Sequence, residues 1–114
     1  MKIPERGHLL RILIGESDKW QGKPLFEAIV LKARELHLGG ATVLRGPMGF
    51  GASSRVHTAS ILRLSEDLPI VIEIVDSKAK IDELMPFVDE MVTEGLVTLE
   101  PVRVIHYRAD RKAT

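Results

Sequence analysis

The sequence predicts an α+β domain with the ferredoxin-like βαββαβ order, and three observations support this prediction. A strand-like segment, His8–Ile14, precedes a helical pattern and a short β-rich run, Ala41–Arg45. The order strand, helix, strand returns after a glycine-rich loop. Apolar residues make up 45% of the chain and charged residues 28%, which is typical of a globular domain. Two right-handed βαβ units side by side place both helices on one face of a four-stranded sheet.

The composition also excludes several classes of function. The 16 basic and 16 acidic residues cancel, so no overall field attracts nucleic acid or an anionic membrane. The absence of cysteine excludes disulfides and thiolate metal sites. No apolar run approaches the ~20 residues needed to cross a bilayer, and no apolar signal segment follows Met1–Arg6. We expect one cytoplasmic domain over 1–114, with a core of about 7–107 and a polar tail over 108–114, and no membrane insertion.

The first half begins with a strand in which alternate residues, Leu10, Ile12 and Ile14, share one face. Pro24 suits the first turn of the following helix. We expect Gly39-Gly40 to end that helix. Its apolar stripe consists of Leu25, Phe26, Ile29, Val30, Ala33 and Leu36.

The second half contains three further predicted strands: a return strand over 57–64, a core strand at Leu68–Val75 and a last long strand at Leu96–Tyr107. Asp76 or Ser77 is expected to cap the second helix.

The second helix contains a proline. Its apolar stripe consists of Ile81, Leu84, Met85, Val88, Met91 and Val92, and Gly95 follows it as a stop signal. Because Pro86 falls inside the stripe, we expect a kink or a break near Leu84.

The sheet face opposite the helices is unusually apolar. It would carry Leu9, Leu13, Val71 and Val75, with Arg11 and Glu73 among them. Such a face favours burial against another chain and therefore an oligomer. A different strand register, or coverage of the face by the C-terminal tail, is the alternative.

The segment "RGPMGFG", Arg45–Gly51, raises the main functional question. Its glycines allow positive φ and close backbone approach, yet it lacks the ending of a P-loop and is also consistent with a simple flexible hairpin end. Cationic and hydroxyl donors suited to an anionic small molecule accompany it. The candidate ligand-binding residues here are Arg45, Gly46, Gly49, Phe50, Gly51, Ser53, Ser54, Arg55, His57 and Thr58.

Catalysis and metal binding are the weaker hypotheses. The four histidines have no ligand spacing, so we assign no metal site. The adjacent carboxylates Glu66 and Asp67 stand before a proline-containing strand and are more typical of a turn cap than of a catalytic pair. We therefore assign no catalytic residue and predict that the protein is not an enzyme. A metal- or anion-binding oligomer without a signalling role, or a small enzyme using His57, stays open as an alternative.

Three motifs, "GATVLRGPMGFG", "LSEDLPIVIEIVDS" and "GLVTLEPVRVI", occur in an order and spacing that resemble an uncharacterised PII-like family, domain of unknown function 190. Genes of that family often neighbour those of CrcB-type fluoride channels. The resemblance extends to the PII superfamily and implies a trimer of ferredoxin-like subunits. It also implies nucleotide binding in clefts between subunits and a loop between the two halves that contacts target proteins.

Some positions of this chain match the PII pattern and others depart from it. Gly49-Phe50-Gly51 and His57-Thr58 resemble the base of the PII loop, and Arg103 and Arg108 resemble the basic residues that meet phosphates after the last strand. Ala52-Ser53 replace the PII glutamine used with magnesium and 2-oxoglutarate, and the loop lacks the regulatory tyrosine. The second phosphate-binding loop is reduced to "TEGLV". These departures argue against nitrogen sensing and uridylylation.

The apolar sheet face predicts an oligomer, and the resemblance implies that the protein is a homotrimeric PII-like regulatory protein. It would bind a small anion, a nucleotide among the candidates, between subunits, and it would contact a partner such as a membrane transporter through residues 45–58. The sequence identifies neither the ligand nor any cofactor.

Overall fold

A computed structural model describes residues 5–49, 57–58 and 67–108, with residues 57–58 described by their backbone alone. A four-stranded antiparallel sheet has the strand order β4-β7-β1-β8. The helices α1 and α2 contact each other. The bounds are β1 Arg6–Gly15, β2 Lys19–Trp20, β3 Lys23–Pro24, α1 Leu25–Glu35, β4 Thr42–Arg45, β5 Met48–Gly49, β6 His57–Thr58, β7 Pro69–Asp76, α2 Lys78–Met91 and β8 Leu96–Arg103. This is the ferredoxin-like arrangement that the sequence predicts.

Strand β1 lies in the middle of the sheet and pairs with β7 on one side and β8 on the other. Its alternation is the predicted one, because Leu10 and Ile12 are fully buried while Leu9 and Leu13 are only half-buried. In β7, Ile70, Ile72 and Ile74 are buried in the same way. The side chains that these strands bury pack with those of both helices in one core, which also contains Leu25, Ala28, Ile29, Ala33, Leu38, Ile81, Leu84, Val88 and Met91.

Helix α1 ends earlier than predicted. Its last helical residue is Glu35, and His37 has a φ of 64° in the left-handed region. The Lys80 ammonium group in α2 donates to the Leu36 carbonyl at 2.7 Å. This tertiary contact holds the chain at the end of the helix, so Gly39-Gly40 belong to the connection to β4 and do not terminate α1.

Helix α2 is capped by Ser77, whose hydroxyl accepts a hydrogen bond from the Lys80 amide at 3.2 Å. Of the predicted kink or break near Leu84, the break does not occur, because α2 continues through Pro86 as one helix. Pro86 is exposed, whereas Leu84 and Val88 on either side of it are buried in the core. Core packing on both sides of the proline offsets the hydrogen bond that its missing N–H removes.

Strand β8 also ends earlier than predicted, at Arg103 instead of Tyr107. Beyond it, the Val104 amide donates to the Glu5 carbonyl at 2.7 Å as the chain leaves the strand. Of the predicted return strand over 57–64, the structure describes only His57–Thr58, which pair with Met48–Gly49. The other residues of that segment lie outside the described ranges.

A small hairpin between β1 and α1 was not predicted. Strands β2 and β3 pair across Gln21 and Gly22, whose φ angles are 49° and 85°. Two successive positive φ angles are typical of the tight turn that joins two short antiparallel strands. Among the residues that the structure describes, no helix is long and apolar enough to span a membrane.

Candidate functional site

The base of the glycine-rich loop lies at the end of β4. Arg45, the last residue of that strand, donates from Nη2 to the Glu16 carboxylate in the β1–β2 connection at 2.5 Å. Both side chains keep solvent access, with 54% of the Arg45 side chain and 30% of the Glu16 side chain exposed. A predicted anion-binding group is therefore present at the loop base and is held by a carboxylate.

Two of the loop glycines bring the backbone against the chain's own β7 strand. The Gly46 amide donates to the Pro69 carbonyl at 2.7 Å. A Cβ atom would lie 2.9 Å from Pro69 Cγ at Gly46 and 3.0 Å from it at Gly49. Neither glycine has a positive φ. At these two positions glycine therefore permits close approach to Pro69.

The carboxylate Asp67 acts as a turn cap in this region. It accepts a hydrogen bond from the Ser17 amide at 2.7 Å. A Cβ atom at Gly15 would come within 2.5 Å of the same carboxylate. Asp18 accepts from the Gly15 amide at 3.0 Å. Among the described residues, no group of histidines and carboxylates is arranged to hold a metal ion.

The opposite end of the sheet contains a groove of about 760 Å³, which the sequence did not reveal. Its floor is formed by Glu73, Val75 and Val102. One wall is the connection over 39–42, and the other is the segment 103–107 that follows β8. The groove is open, apolar on part of its floor and bordered by backbone on both sides. Such a shape suits a small organic ligand that carries polar groups.

The first wall is fixed by a buried carboxylate. Asp76, only 1% exposed, accepts hydrogen bonds from the Gly39 amide and the Ser77 amide, each at 2.7 Å. On its other side, the Gly39 carbonyl accepts from the Tyr107 hydroxyl at 2.5 Å. Gly39 therefore joins the end of β7 to the segment after β8.

Of the two basic residues predicted for phosphate contact, Arg103 lines this groove, and Arg108 lies just beyond it in sequence. Arg103 donates from Nε to the Glu5 carboxylate at 2.6 Å. Arg108 lies 3.0 Å from the His106 ring nitrogen Nδ1. The Arg103 side chain is 74% exposed, and an exposed ion pair contributes little free energy. The guanidinium can therefore leave Glu5 and bind a ligand instead.

Arg45 and Arg103 are far apart in one chain. Through β7, Arg45 is level with Ile14 near the end of β1, because both residues pair with Ile70. Arg103 pairs with Arg6, at the start of β1. Arg6 and Ile14 are eight residues apart in β1, so at about 3.3 Å per residue the two arginines are separated by roughly 26 Å along the strand direction. The two arginines also belong to opposite edges of the sheet. A small ligand that meets both must lie between two chains.

The other predicted loop residues are described incompletely. Phe50, Gly51, Ser53, Ser54 and Arg55 lie outside the described residues. For His57 and Thr58, the backbone is placed in β6.

The sheet face opposite the helices has a charged centre and an apolar surround. Arg11 donates from Nε to Glu73 at 3.0 Å, and its Nη1 lies 3.6 Å from Glu100. The strand registers place Leu44 of β4 and Leu96 of β8 on the same face, where they are 50% and 55% exposed. The half-buried apolar residues around them are Leu9, Leu13, Val71, Val75 and Val102.

Solved structures define the class of this fold. CPII, a nitrogen regulatory PII-like protein from Thiomonas intermedia K12 bound to ADP, AMP and bicarbonate, is similar with a TM-score of 0.62 and 18% identity. The match covers 87% of this chain and 88% of that one. The GlnK–ATP complex of B. subtilis is similar with a TM-score of 0.56 and 12% identity, over 89% and 85% of the two chains. The fold is PII-like.

Sequence comparison gives the family. The model of DUF190, described as "Uncharacterized ACR, COG1993", matches residues 7–104. A UPF0166 protein of Aquifex aeolicus is 37% identical over 100 residues, covering 86% of this chain and 92% of that protein. The UPF0166 protein MJ1524 of Methanocaldococcus jannaschii is 31% identical over 100 residues, covering 87% and 92%. The chain belongs to the DUF190 family, as its three motifs predicted.

Proposed function

We propose that the protein is a homotrimeric, cytoplasmic, PII-like regulatory protein that binds a small anionic ligand between subunits. The ligand would order the loop over 45–58, and that loop would contact a partner protein such as a membrane transporter. The proposal assigns no catalytic step. The groove beside Arg103 is the observation that carries it, because a cavity of about 760 Å³ is large enough for a nucleotide-sized molecule.

The composition of the groove supports a ligand with both flat apolar and anionic parts. Val75 and Val102 offer apolar floor, and Arg103 at the rim offers a charge-assisted hydrogen bond to phosphate or carboxylate. The similar CPII structure is bound to ADP, AMP and bicarbonate, and the similar GlnK structure is a complex with ATP. Adenine nucleotides are therefore the first ligands to test.

The position of the arginines supports a site shared between subunits. Arg45 and Arg103 lie at opposite ends of the sheet, so one chain cannot bring both to the same small ligand. A site that uses both arginines therefore needs the loop base of a neighbouring copy. The apolar sheet face supports an assembly that makes such sharing possible, because Leu44 and Leu96 leave large apolar area in water in the single chain.

The ion pair of Arg45 with Glu16 provides a physical route to signalling. An anion that binds Arg45 more tightly than Glu16 does would release the carboxylate and reorder the loop base. The ligand would then shift the population of loop conformations that the partner meets.

The Arg103→Gln variant tests the ligand site. We expect it to weaken binding of ADP about ten- to hundredfold, because a charge-assisted hydrogen bond contributes roughly 1.5–3 kcal/mol. Isothermal calorimetry on the wild type and the variant measures this change directly. Arg34→Gln, at an exposed position on α1, is the matched control and should leave the affinity unchanged.

Two results would contradict the ligand proposal. One is the absence of heat from ADP, AMP, ATP, 2-oxoglutarate, bicarbonate, phosphate and fluoride with the wild-type protein. The other is an equal loss of affinity in Arg103→Gln and Arg34→Gln, which would remove Arg103 from the site.

A further inference from the structure

We propose that the segment Val104–Tyr107 is a strap that controls access to the groove, and that the hydrogen bond from Tyr107 to Gly39 is its latch. The proposal concerns the regulation of the candidate ligand site and rests on the proposed function for the identity of the ligand. The latch itself is a property of the protein without ligand.

The strap crosses the end of the sheet from one edge toward the other. It leaves β8 at Arg103, and the Val104 amide donates to the Glu5 carbonyl at 2.7 Å. It then passes over β1 at Gly7, where a Cβ atom would lie 3.1 Å from a methyl group of Val104 and 3.3 Å from the Asp76 carbonyl. A glycine inside a strand commonly marks such a close crossing.

The far end of the strap is attached to a rigid point. The Tyr107 hydroxyl donates to the Gly39 carbonyl at 2.5 Å across 68 residues of sequence. The same glycine is held through its amide by the buried carboxylate of Asp76 at 2.7 Å. Because Asp76 is only 1% exposed, Gly39 cannot follow the strap without breaking contacts in the core. The breakable connection is therefore the tyrosine hydroxyl.

Between its two attachments the strap makes little buried contact. Ile105 is 69% exposed and Tyr107 is 44% exposed, although both are large apolar side chains. Segments with few buried contacts open at low free energy while the core stays folded. Opening at Tyr107 would separate the strap from the connection over 39–42, which is the opposite wall of the groove.

A cysteine reporter tests the latch, because the natural chain contains no cysteine. Val75→Cys places one thiol on the groove floor with little change in volume. Val97→Cys places one in β8, half-buried like Val75 but on the helix-covered face and outside the groove, as the matched control. Each reporter is combined with either the natural Tyr107 or Tyr107→Phe, which removes only the hydroxyl. The rate of reaction with Ellman's reagent is then measured without ligand.

We expect Tyr107→Phe to raise the labelling rate of the Val75→Cys thiol by about five- to tenfold. The loss of one hydrogen bond would shift the equilibrium between closed and open strap by that factor. The Val97→Cys thiol should keep its rate. The thermal midpoints of the paired proteins verify that the fold is unchanged.

An unchanged rate at the Val75→Cys thiol, or an equal rise at the control thiol, would overturn the latch. Because no ligand is present, this outcome is independent of the calorimetry with ADP. Failure of the strap and failure of the proposed ligand therefore give different results.

Discussion

Leu13→Glu should convert the proposed trimer into monomers at micromolar concentration. Leu13 is half-buried on the open sheet face, where it stands between Val71 of β7 and Leu96 of β8. A carboxylate at this position would lie between the apolar side chains of Val71 and Leu96 when the face is covered. An uncompensated buried charge costs about 3–5 kcal/mol for each copy, which exceeds what a few apolar contacts return. Light scattering coupled to size-exclusion chromatography measures the mass.

A matched substitution separates assembly from a general effect of added charge. Leu31→Glu introduces the same group on α1, at a leucine that is 43% exposed on the helical side of the molecule. We expect this variant to keep the mass of the wild type. A wild-type protein that is already monomeric, or a Leu13→Glu variant that stays trimeric, would contradict burial of the open face against other copies.

Asp76→Ala should lower the free energy of unfolding by about 2–6 kcal/mol, since it removes the acceptor of two amide groups and each amide left unpaired costs about 1–3 kcal/mol. These donors are the Gly39 and Ser77 amides, each 2.7 Å from the carboxylate. The loss affects both the start of α2 and the wall of the groove. Urea unfolding followed by circular dichroism measures it.

Asp76→Asn is the control for this variant. The asparagine keeps one carbonyl oxygen as an acceptor and nearly the same volume, so we expect it to lose less stability than Asp76→Ala. A loss below about 1 kcal/mol in Asp76→Ala would show that the two hydrogen bonds contribute little and that Gly39 is held by other contacts.

The fold could be predicted from the sequence because its signals are local and repeated. Alternating isoleucines and leucines in β1 and β7 bury one side of each strand, and the apolar stripes of α1 and α2 face the same core. Periodicity of this kind can be recognised in the sequence without knowledge of any tertiary contact. The order of the elements then left few topologies to consider.

The ends of the elements were predicted less well, because distant residues determine them. The Lys80 ammonium of α2 donates to the Leu36 carbonyl at the end of α1, and β8 ends at Arg103 because its partner strand β1 begins at Arg6. Packing of Leu84 and Val88 keeps α2 intact across Pro86. None of these partners is near the affected residue in sequence.

The candidate site was predicted only in part. The charges of Arg45 and Arg103 were visible in the sequence, and the structure places them at the loop base and at the groove. The groove itself was not predictable, since its floor and walls come from separate segments of the chain that meet only after folding. One available signal was Gly7, a glycine near the start of β1, which marks the crossing of the strap.

Native mass spectrometry of the protein, purified without any step that removes nucleotides, reports subunit number and retained ligand together. We expect a species of about 38 kDa, three times the 12.7 kDa of one chain. We also expect additional mass from a small ligand, which is lost in Arg103→Gln while the trimer persists. A single 12.7 kDa species, or a trimer to which neither a retained molecule nor added adenine nucleotide binds, would contradict a ligand-binding trimer.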